Sequence, residues 1–483
     1  MNYKLIFKLT GNMLWVEAVF MLFPLVVSFI YGGEDSGSFI WSILILAAAG
    51  SLLAISKPEV RNFRTRDAFV VAGITWLLFS LFGALPFLFS NYFKNYIDCI
   101  FESASGFTTT GATILTDVEA LPKGILFWRS FSHWIGGMGV LVFLMAVMPS
   151  VNASSVNLLR AESTGPAPDR IVPKIRETAR IMYLIYLVMT VLLVILLVIA
   201  GLPVYDSFVN AFSTAGTGGF AIMNASIGAY NNIAAEIIIT VFMFLFGVSF
   251  ALYFFLLERD FKKFFKDEEL RVYFGIVIVA ILIISVNISG LYGGFTQALR
   301  HSSFQVSSII TTTGYSTVDF NLWPALSRVI LVLLMVAGCC AGSTGGGIKT
   351  IRLIILFKAV RIEMGKIFHP GSVKAVSINN KKIDRDIVSK TALFFFIYFA
   401  VFFFSVVLIS IEGTDLVSGA TAVISAMSNI GPGLGFVGPA GSFAAFTPFS
   451  KIVLTFCMIA GRLEFFPILV LFVPAVWKKS LMK

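Results

Sequence analysis

Ten apolar runs punctuate the chain, near 12–31, 39–55, 68–90, 126–149, 181–203, 233–257, 272–291, 326–348, 391–411 and 451–475. Each approaches the roughly 20 residues that a helix needs to cross a bilayer. At that length only helices satisfy every backbone group inside lipid, so the expected class is an all-α polytopic membrane protein. The segments between the runs alternate in charge. Residues 1–11, 56–67, 150–180, 258–271, 349–390 and 476–483 hold 29 Lys and Arg; the alternate loops hold only Lys94, Lys123 and Arg300. Positive loops stay inside, so both termini are expected in the cytoplasm, in keeping with an even number of spans.

Composition narrows the class further. Only 13% of residues are charged and the mean hydropathy is +0.90, against about 25% charge in a soluble domain. That excludes a water-soluble enzyme, because so much apolar surface needs lipid to cover it. The polar stretches are too short for a separate soluble domain of about 50 residues, so a ligand-sensing domain is expected on another protein. Cys99, Cys339, Cys340 and Cys457 have neither disulfide nor zinc spacing. The opening apolar segment lacks a small-residue cleavage site and is expected to be a retained span.

The loops after spans 3, 5, 7 and 9 repeat. They read FESASGFTTTGATIL (101–115), VNAFSTAGTGGFAIM (209–223), FQVSSIITTTGYSTV (304–318) and TAVISAMSNIGPGLG (421–435). Aligned on Gly111, Gly219, Gly314 and Gly431, each has a serine six residues earlier (Ser105, Ser213, Ser308, Ser425). Two residues before each glycine stands Thr109, Thr217, Thr312 or Asn429. The pattern is a fourfold repeat of span, re-entrant loop and span, with spans 1 and 2 outside it.

Such a repeat suits cation conduction. A cation leaving water needs replacement oxygens, and a ring of backbone carbonyls supplies them. Aligning successive carbonyls takes unusual backbone angles, which glycine reaches cheaply. A short helix ending at the ring aims its negative end at the ion. The candidate ion-lining residues are Thr109, Thr110, Gly111, Thr217, Gly218, Gly219, Thr312, Thr313, Gly314, Asn429, Ile430 and Gly431. The serines have a plainer reading, each satisfying a backbone group of its own helix.

Two further features stand out. AGCCAGSTGGGIKT (337–350) has five glycines in ten residues, so span 8 is expected to break there. The break is either a plug beneath the third loop or a flexible helix end. Its likeness to a phosphate-binding loop fails on spacing, since Ile348 separates Gly347 from Lys349. Arg462 lies in the middle of the last span, and a charge at that depth marks a functional site. It acts on the glycine-rich break or on the ion path, or it is salt-bridged for structure. Glu464 is expected to point elsewhere. Glu17, near a span end, is expected to be solvated or paired, Trp128 and Trp134 to anchor at an interface, and the three histidines to carry no chemistry.

FTTTGAT, TTTGYST, SNIGPGLG and HWIGGMG (133–139) make the whole chain resemble the Trk/Ktr/HKT superfamily of potassium transporters, closest to its TrkH type. The extra N-terminal span pair fits that type. The resemblance implies filter glycines at Gly111, Gly219, Gly314 and Gly431, and a gating loop over Gly342–Gly347. It also implies a pore-facing arginine at Arg462; candidate gate residues are Gly342, Gly345, Gly346, Gly347, Lys349 and Arg462. It implies a homodimer in the bacterial inner membrane, docked on a cytosolic TrkA-like RCK ring that binds nucleotides. The basic loops 150–180 and 359–390 are candidate docking surfaces, or sites for anionic lipid. K⁺ is the expected transported ion, with no organic cofactor on this chain and no nucleic-acid partner. The expected units are 1–60 (N-terminal pair), 61–150, 151–260, 261–365 (with the gating loop) and 366–483. Loops 2 (GTGGF) and 4 (NIGPG) depart from the T-V-G-Y-G pattern, so only moderate selectivity for K⁺ over Na⁺ is expected. The alternatives are an H⁺- or Na⁺-coupled potassium symporter and a KdpA-like subunit of an ATP-driven pump.

Overall fold

The structure is a computed structural model that describes residues 3–56, 65–139, 175–371 and 374–477. It is helical almost throughout; among the described residues the strands are one two-residue hairpin, Ser377–Ile378 with Lys381–Lys382. Asn379 and Asn380 both take left-handed φ in its two-residue turn, the conformation such a tight hairpin requires.

Among the described residues six helices are long and apolar enough to cross a membrane: Tyr3–Ile30, Ser36–Ala54, Arg66–Phe89, Glu177–Ile199, Glu268–Ile288 and Arg385–Ser410. The N-terminal pair packs closely where Gly11 meets Gly50: a Cβ on Gly11 would stand 2.7 Å from the Gly50 carbonyl. Small residues let two backbones approach without help from water. Asp35, between those helices, accepts from Ile125 N–H at 2.8 Å and so fastens the pair to the first repeat.

Four units follow, each with a long helix, a short re-entrant helix, an extended segment (called a strand from here on, although it pairs into no sheet) and a second helix. The re-entrant helices are Tyr96–Phe107, Val204–Ala215, Phe295–Ile310 and Leu416–Ser428. The second helices are Lys123–Gly137, Ile233–Phe246, Ala325–Ala337 and Pro448–Arg462. None of these four is a full straight span. Ile233–Phe246 bends by 96° into Phe250–Leu257. Ala325–Ala337 stops at Gly338, as the glycine run foretold, and Thr350–Phe368 resumes beyond it. Pro448–Arg462 stops before Glu464 and Phe465, both at positive φ, so Arg462 ends a helix rather than occupying its middle. The bend after Phe246 is hidden in the sequence because apolar residues continue through it. The bounds expected at 60–61 and 150–151, residues 140–149 of the expected span 126–149, and most of loop 150–180 lie outside the described residues.

Ion pairs join neighbouring units. Arg300 of the third re-entrant helix donates through Nε to Glu236 Oε2 of the second unit at 2.6 Å. Lys451 of the fourth unit reaches Asp98 of the first at 2.6 Å, with both side chains almost fully buried. Trp128 is buried too: its Nε1 donates to Gly83 O at 3.0 Å. Trp134 stacks on Tyr186 with centroids 5.5 Å apart. Both are packing residues in the helix seams, not interfacial anchors.

Candidate functional site

Each re-entrant helix hands over to its strand in the same way. The residue after the helix's last turns takes left-handed φ at Thr109 (56°), Thr217 (54°), Thr312 (60°) and Asn429 (57°). Two residues on, Gly111, Gly219, Gly314 and Gly431 are again at positive φ, from 77° to 101°. Between them Thr110, Gly218, Thr313 and Ile430 donate their N–H to the carbonyls of Ser105, Ser213, Ser308 and Ser425, at 2.8–3.0 Å. Alternating the sign of φ turns successive carbonyls toward one side of the strand. A β-branched residue in the left-handed region is strained, and such strain persists only where the surroundings impose it.

The four strands close into a ring. A Cβ on Gly111 would stand 1.9 Å from Gly218 O of the second strand. One on Gly219 would stand 1.9 Å from Thr313 O of the third, and one on Gly314 1.9 Å from Ile430 O of the fourth. Gly431 completes the circuit, 2.8 Å from Thr110 O of the first. Each glycine therefore faces the carbonyl that precedes the next glycine, in cyclic order, and no other residue fits.

Side-chain oxygens play a smaller part than the backbone. Thr110 Oγ1 bonds Thr108 Oγ1 at 2.8 Å and Thr313 Oγ1 bonds Thr311 Oγ1 at 2.8 Å. Asn429 Nδ2 reaches Thr110 Oγ1 at 3.0 Å and Met458 O at 2.9 Å, tying strand 4 to strand 1. The Ser308 and Ser425 hydroxyls hold their own strands, bonding Tyr315 O and Gly431 O at 2.6 Å. The Ser105 and Ser213 hydroxyls have no hydrogen-bond partner among the described residues, so none of the four serines satisfies a backbone group of its own helix and the plain reading fails. On one face of the ring a cavity of about 390 Å³ is lined by all four glycines, with Arg129, Thr113 and Phe220 in its wall.

The glycine-rich segment lies against the other face. Gly346 N–H donates to Thr312 Oγ1 at 2.7 Å. A Cβ on Gly346 would stand 2.3 Å from Ser428 O, and one on Gly345 2.8 Å from Thr311 O. The segment thus packs directly beneath strands 3 and 4. It is stapled to the bent helix of the second unit by Cys340 N to Gly247 O (3.1 Å) and Phe250 N to Gly342 O (3.0 Å). Glu269 Oε1 accepts from Ala341 N at 2.8 Å and Ile351 N at 2.9 Å, holding both ends of the segment. Arg462 Nη1 donates to Thr344 O at 2.8 Å and Nη2 to Gly137 O at 2.7 Å. The buried Lys349 donates to Gly345 O. Two cations therefore converge on the carbonyls of one short loop.

Family comparison agrees with this geometry. Residues 36–479 match the family model TrkH, described as a cation transport protein. The chain belongs to the TrkH family. Similar members include the Trk system potassium uptake protein TrkH of Salmonella typhimurium, 35% identical over 99% of this chain and 100% of that protein. The Trk system potassium uptake protein TrkG of Escherichia coli strain K12 is 32% identical over 99% of this chain and 99% of that protein. The crystal structure of the potassium transporter TrkH from Vibrio parahaemolyticus superimposes with a TM-score of 0.89 at 31% identity, covering 99% of this chain and 100% of that one. TrkH proteins are transporters and not enzymes, as the composition led us to expect.

Several residues of this TrkH-family site escaped sequence reasoning. His133, given no chemistry, bonds Gly106 O through Nδ1 at 2.7 Å and accepts from Phe220 N–H through Nε2 at 3.3 Å. It sits where the first re-entrant helix meets the second strand, and HWIGG is the seam around it. Glu464 pairs with Arg352, a partner 112 residues away in the chain that the sequence did not indicate. Glu17, expected to be solvated or paired, is fully buried with neither oxygen bonded among the described residues.

Proposed function

We propose that this chain is a potassium uptake pathway in which K⁺ passes through the four-strand ring and the glycine-rich segment gates it. The closed ring carries the reading: four glycines meet four carbonyls in cyclic order, and four re-entrant helices end at it. Helix C-termini and carbonyls favour a cation, and the covalent chain fixes the oxygens before the ion arrives. The ring is a filter, with Thr109, Thr110, Gly111, Thr217, Gly218, Gly219, Thr312, Thr313, Gly314, Asn429, Ile430 and Gly431 presenting their carbonyls to the ion.

The gate reading rests on position and charge. Gly342, Gly345, Gly346 and Gly347 give a loop that folds under the ring, and Lys349 and Arg462 hold it there. Their positive charge beneath the filter opposes a cation for as long as the loop stays docked. The positive-inside pattern sets this face toward the cytoplasm, in a bacterial inner membrane with both termini inside. The name of the Salmonella relative, a Trk system protein, supports action within an assembly. We assign this chain a homodimer docked on a cytosolic TrkA-like RCK ring, with the basic stretch 359–390 as one contact. A coupled symport would want a titratable carboxylate on the ion path, and Glu17 lies off it, in the N-terminal pair.

The test is ⁸⁶Rb⁺ uptake into liposomes carrying the purified chain, for wild type and Gly314→Ser. Uptake that follows the membrane potential without ATP, and that changes in the variant, is expected. Uptake that needs a proton or sodium gradient would replace the channel reading with a coupled transporter.

A further inference from the structure

The four strands are alike in backbone but not in what stands behind them. Nine residues before the filter glycines, the re-entrant helices carry Glu102, Asn210, Gln305 and Ala422. Only the first is charged, and its partner comes from the helix on the far side of the strand. Glu102 Oε1 accepts from Arg129 Nε at 2.8 Å and from Thr113 Oγ1 at 2.9 Å, while Oε2 accepts from Ile114 N–H at 3.1 Å. Thr113 and Ile114 are the second and third residues past Gly111, so the carboxylate grips the first strand directly.

Arg129 reaches across to the second strand. Its Nη1 donates to Ala221 O at 3.3 Å and its guanidinium carbon stands 4.1 Å from the Phe220 ring centroid. Nη2 also donates to Thr113 Oγ1 at 3.3 Å. Ala221 and Phe220 directly follow Gly219. Both charged side chains are essentially inaccessible, at 1% and 0% exposure. A planar fork with several donors can hold three hydrogen-bond partners in its plane and a ring against its face, which a lysine cannot. Arg129 also walls the cavity above the ring, so Glu102 cancels a positive charge beside the route of an incoming cation.

We propose that the Glu102–Arg129 pair is a specificity-determining clamp that sets the spacing of strands 1 and 2, so that discrimination between K⁺ and Na⁺ depends on it. Discrimination by a carbonyl ring depends on how far its oxygens can close around the smaller ion. The clamp fixes that distance for half of the ring. Both residues are positioning groups that act through the strands and touch no ion. The proposal rests on the ring being the filter.

The experiment compares ⁸⁶Rb⁺ and ²²Na⁺ uptake into liposomes for wild type, Arg129→Lys, Thr113→Val and Gly219→Ser. Arg129→Lys keeps the charge but loses the fork; Thr113→Val keeps the ion pair and the volume but uncouples it from the first strand. In Arg129→Lys the Rb⁺/Na⁺ ratio is expected to fall roughly tenfold, because a point charge replaces a planar fork. Thr113→Val is expected to fall in the same direction by a smaller factor. Both variants should elute as the wild type does in detergent, which separates this effect from misfolding. If Arg129→Lys does not fold, Thr113→Val decides alone. A wild-type ratio in the folded variants, with a changed ratio in Gly219→Ser, overturns the clamp and leaves the filter standing. An unchanged ratio in Gly219→Ser as well overturns the filter reading itself.

Discussion

Replacing Gly346 with alanine tests the gate with little else disturbed. Gly346 is not among the glycines at positive φ, so the substitution adds a methyl group without left-handed strain. That methyl would stand 2.3 Å from Ser428 O and 3.1 Å from Asn429 Cβ. Real Cβ atoms stay beyond 3.0 Å, so the loop must withdraw by the difference, about 0.7 Å. Strand 4 is the firmer side, because Asn429 is bonded to both Thr110 and Met458. Overpacking of this kind costs about 1–3 kcal/mol. Withdrawal also loosens the 2.7 Å bond from Gly346 N–H to Thr312, worth about 1 kcal/mol. A loss of about 2 kcal/mol from the docked state raises the undocked fraction roughly thirtyfold. The assay is ⁸⁶Rb⁺ uptake into liposomes without any regulatory partner, with ²²Na⁺ uptake measured in parallel. Faster uptake at an unchanged Rb⁺/Na⁺ ratio is expected. Unchanged or slower uptake would refute the loop as a gate. A fallen ratio would refute the inference that the loop yields before the filter.

Three other outcomes are expected. Arg462→Met removes the donors to Thr344 O and Gly137 O, bonds to a charged group worth about 1.5–3 kcal/mol; uptake without a regulator should rise about tenfold or more, and a fall would contradict the docking role. Lys451→Met strands the buried Asp98 carboxylate at a cost of about 3–5 kcal/mol; thermal unfolding in detergent should show the loss, and adding Asp98→Asn should recover most of it. Asp415 caps the fourth re-entrant helix by accepting from Ser418 N–H at 2.9 Å, which holds its carboxyl below the usual aspartate range. The folded form binds its proton less readily, so the cap's contribution is complete above the unfolded pKa of about 3.9 and is lost as pH falls through the lower folded value. The melting-temperature advantage of wild type over Asp415→Ala should therefore shrink in acid, and a flat difference would contradict the assignment.

The ring was legible in the sequence because its requirements are local. A glycine at positive φ and a small polar residue two positions earlier recur four times, and both are read directly from neighbouring letters. The glycine run at 338–347 announced its break for the same reason. What escaped depends on contacts between distant segments. Glu102 and Arg129 are 27 residues apart and look like any acid and base until the strand between them folds back. His133 gains its role only when Gly106 and Phe220 arrive on either side. Two of the second helices read as continuous spans, one because apolar residues continue through the bend at Gly247, the other because the positive-φ residues of its turn, Glu464 and Phe465, are not glycines. The backbone freed at the Gly247 bend finds partners in the glycine-rich segment, as it must inside a membrane. Threonine at three of the left-handed positions also runs against propensity, since a β-branched residue seldom goes there.

The glycine-rich segment hangs from one unit alone, between Ala325–Ala337 and Thr350–Phe368. On the proposed gate reading, a barrier joined covalently to one quarter of a ring, and hydrogen-bonded to the second unit, opens like a trapdoor and not like an iris. About a dozen residues have to move, and the other three units can stay as they are. The oxygen ring then keeps its shape whether the path is shut or open. That reading predicts that conduction and discrimination are separable by mutation, and that a regulator pulling on the helix that follows the loop would have leverage on the first without touching the second.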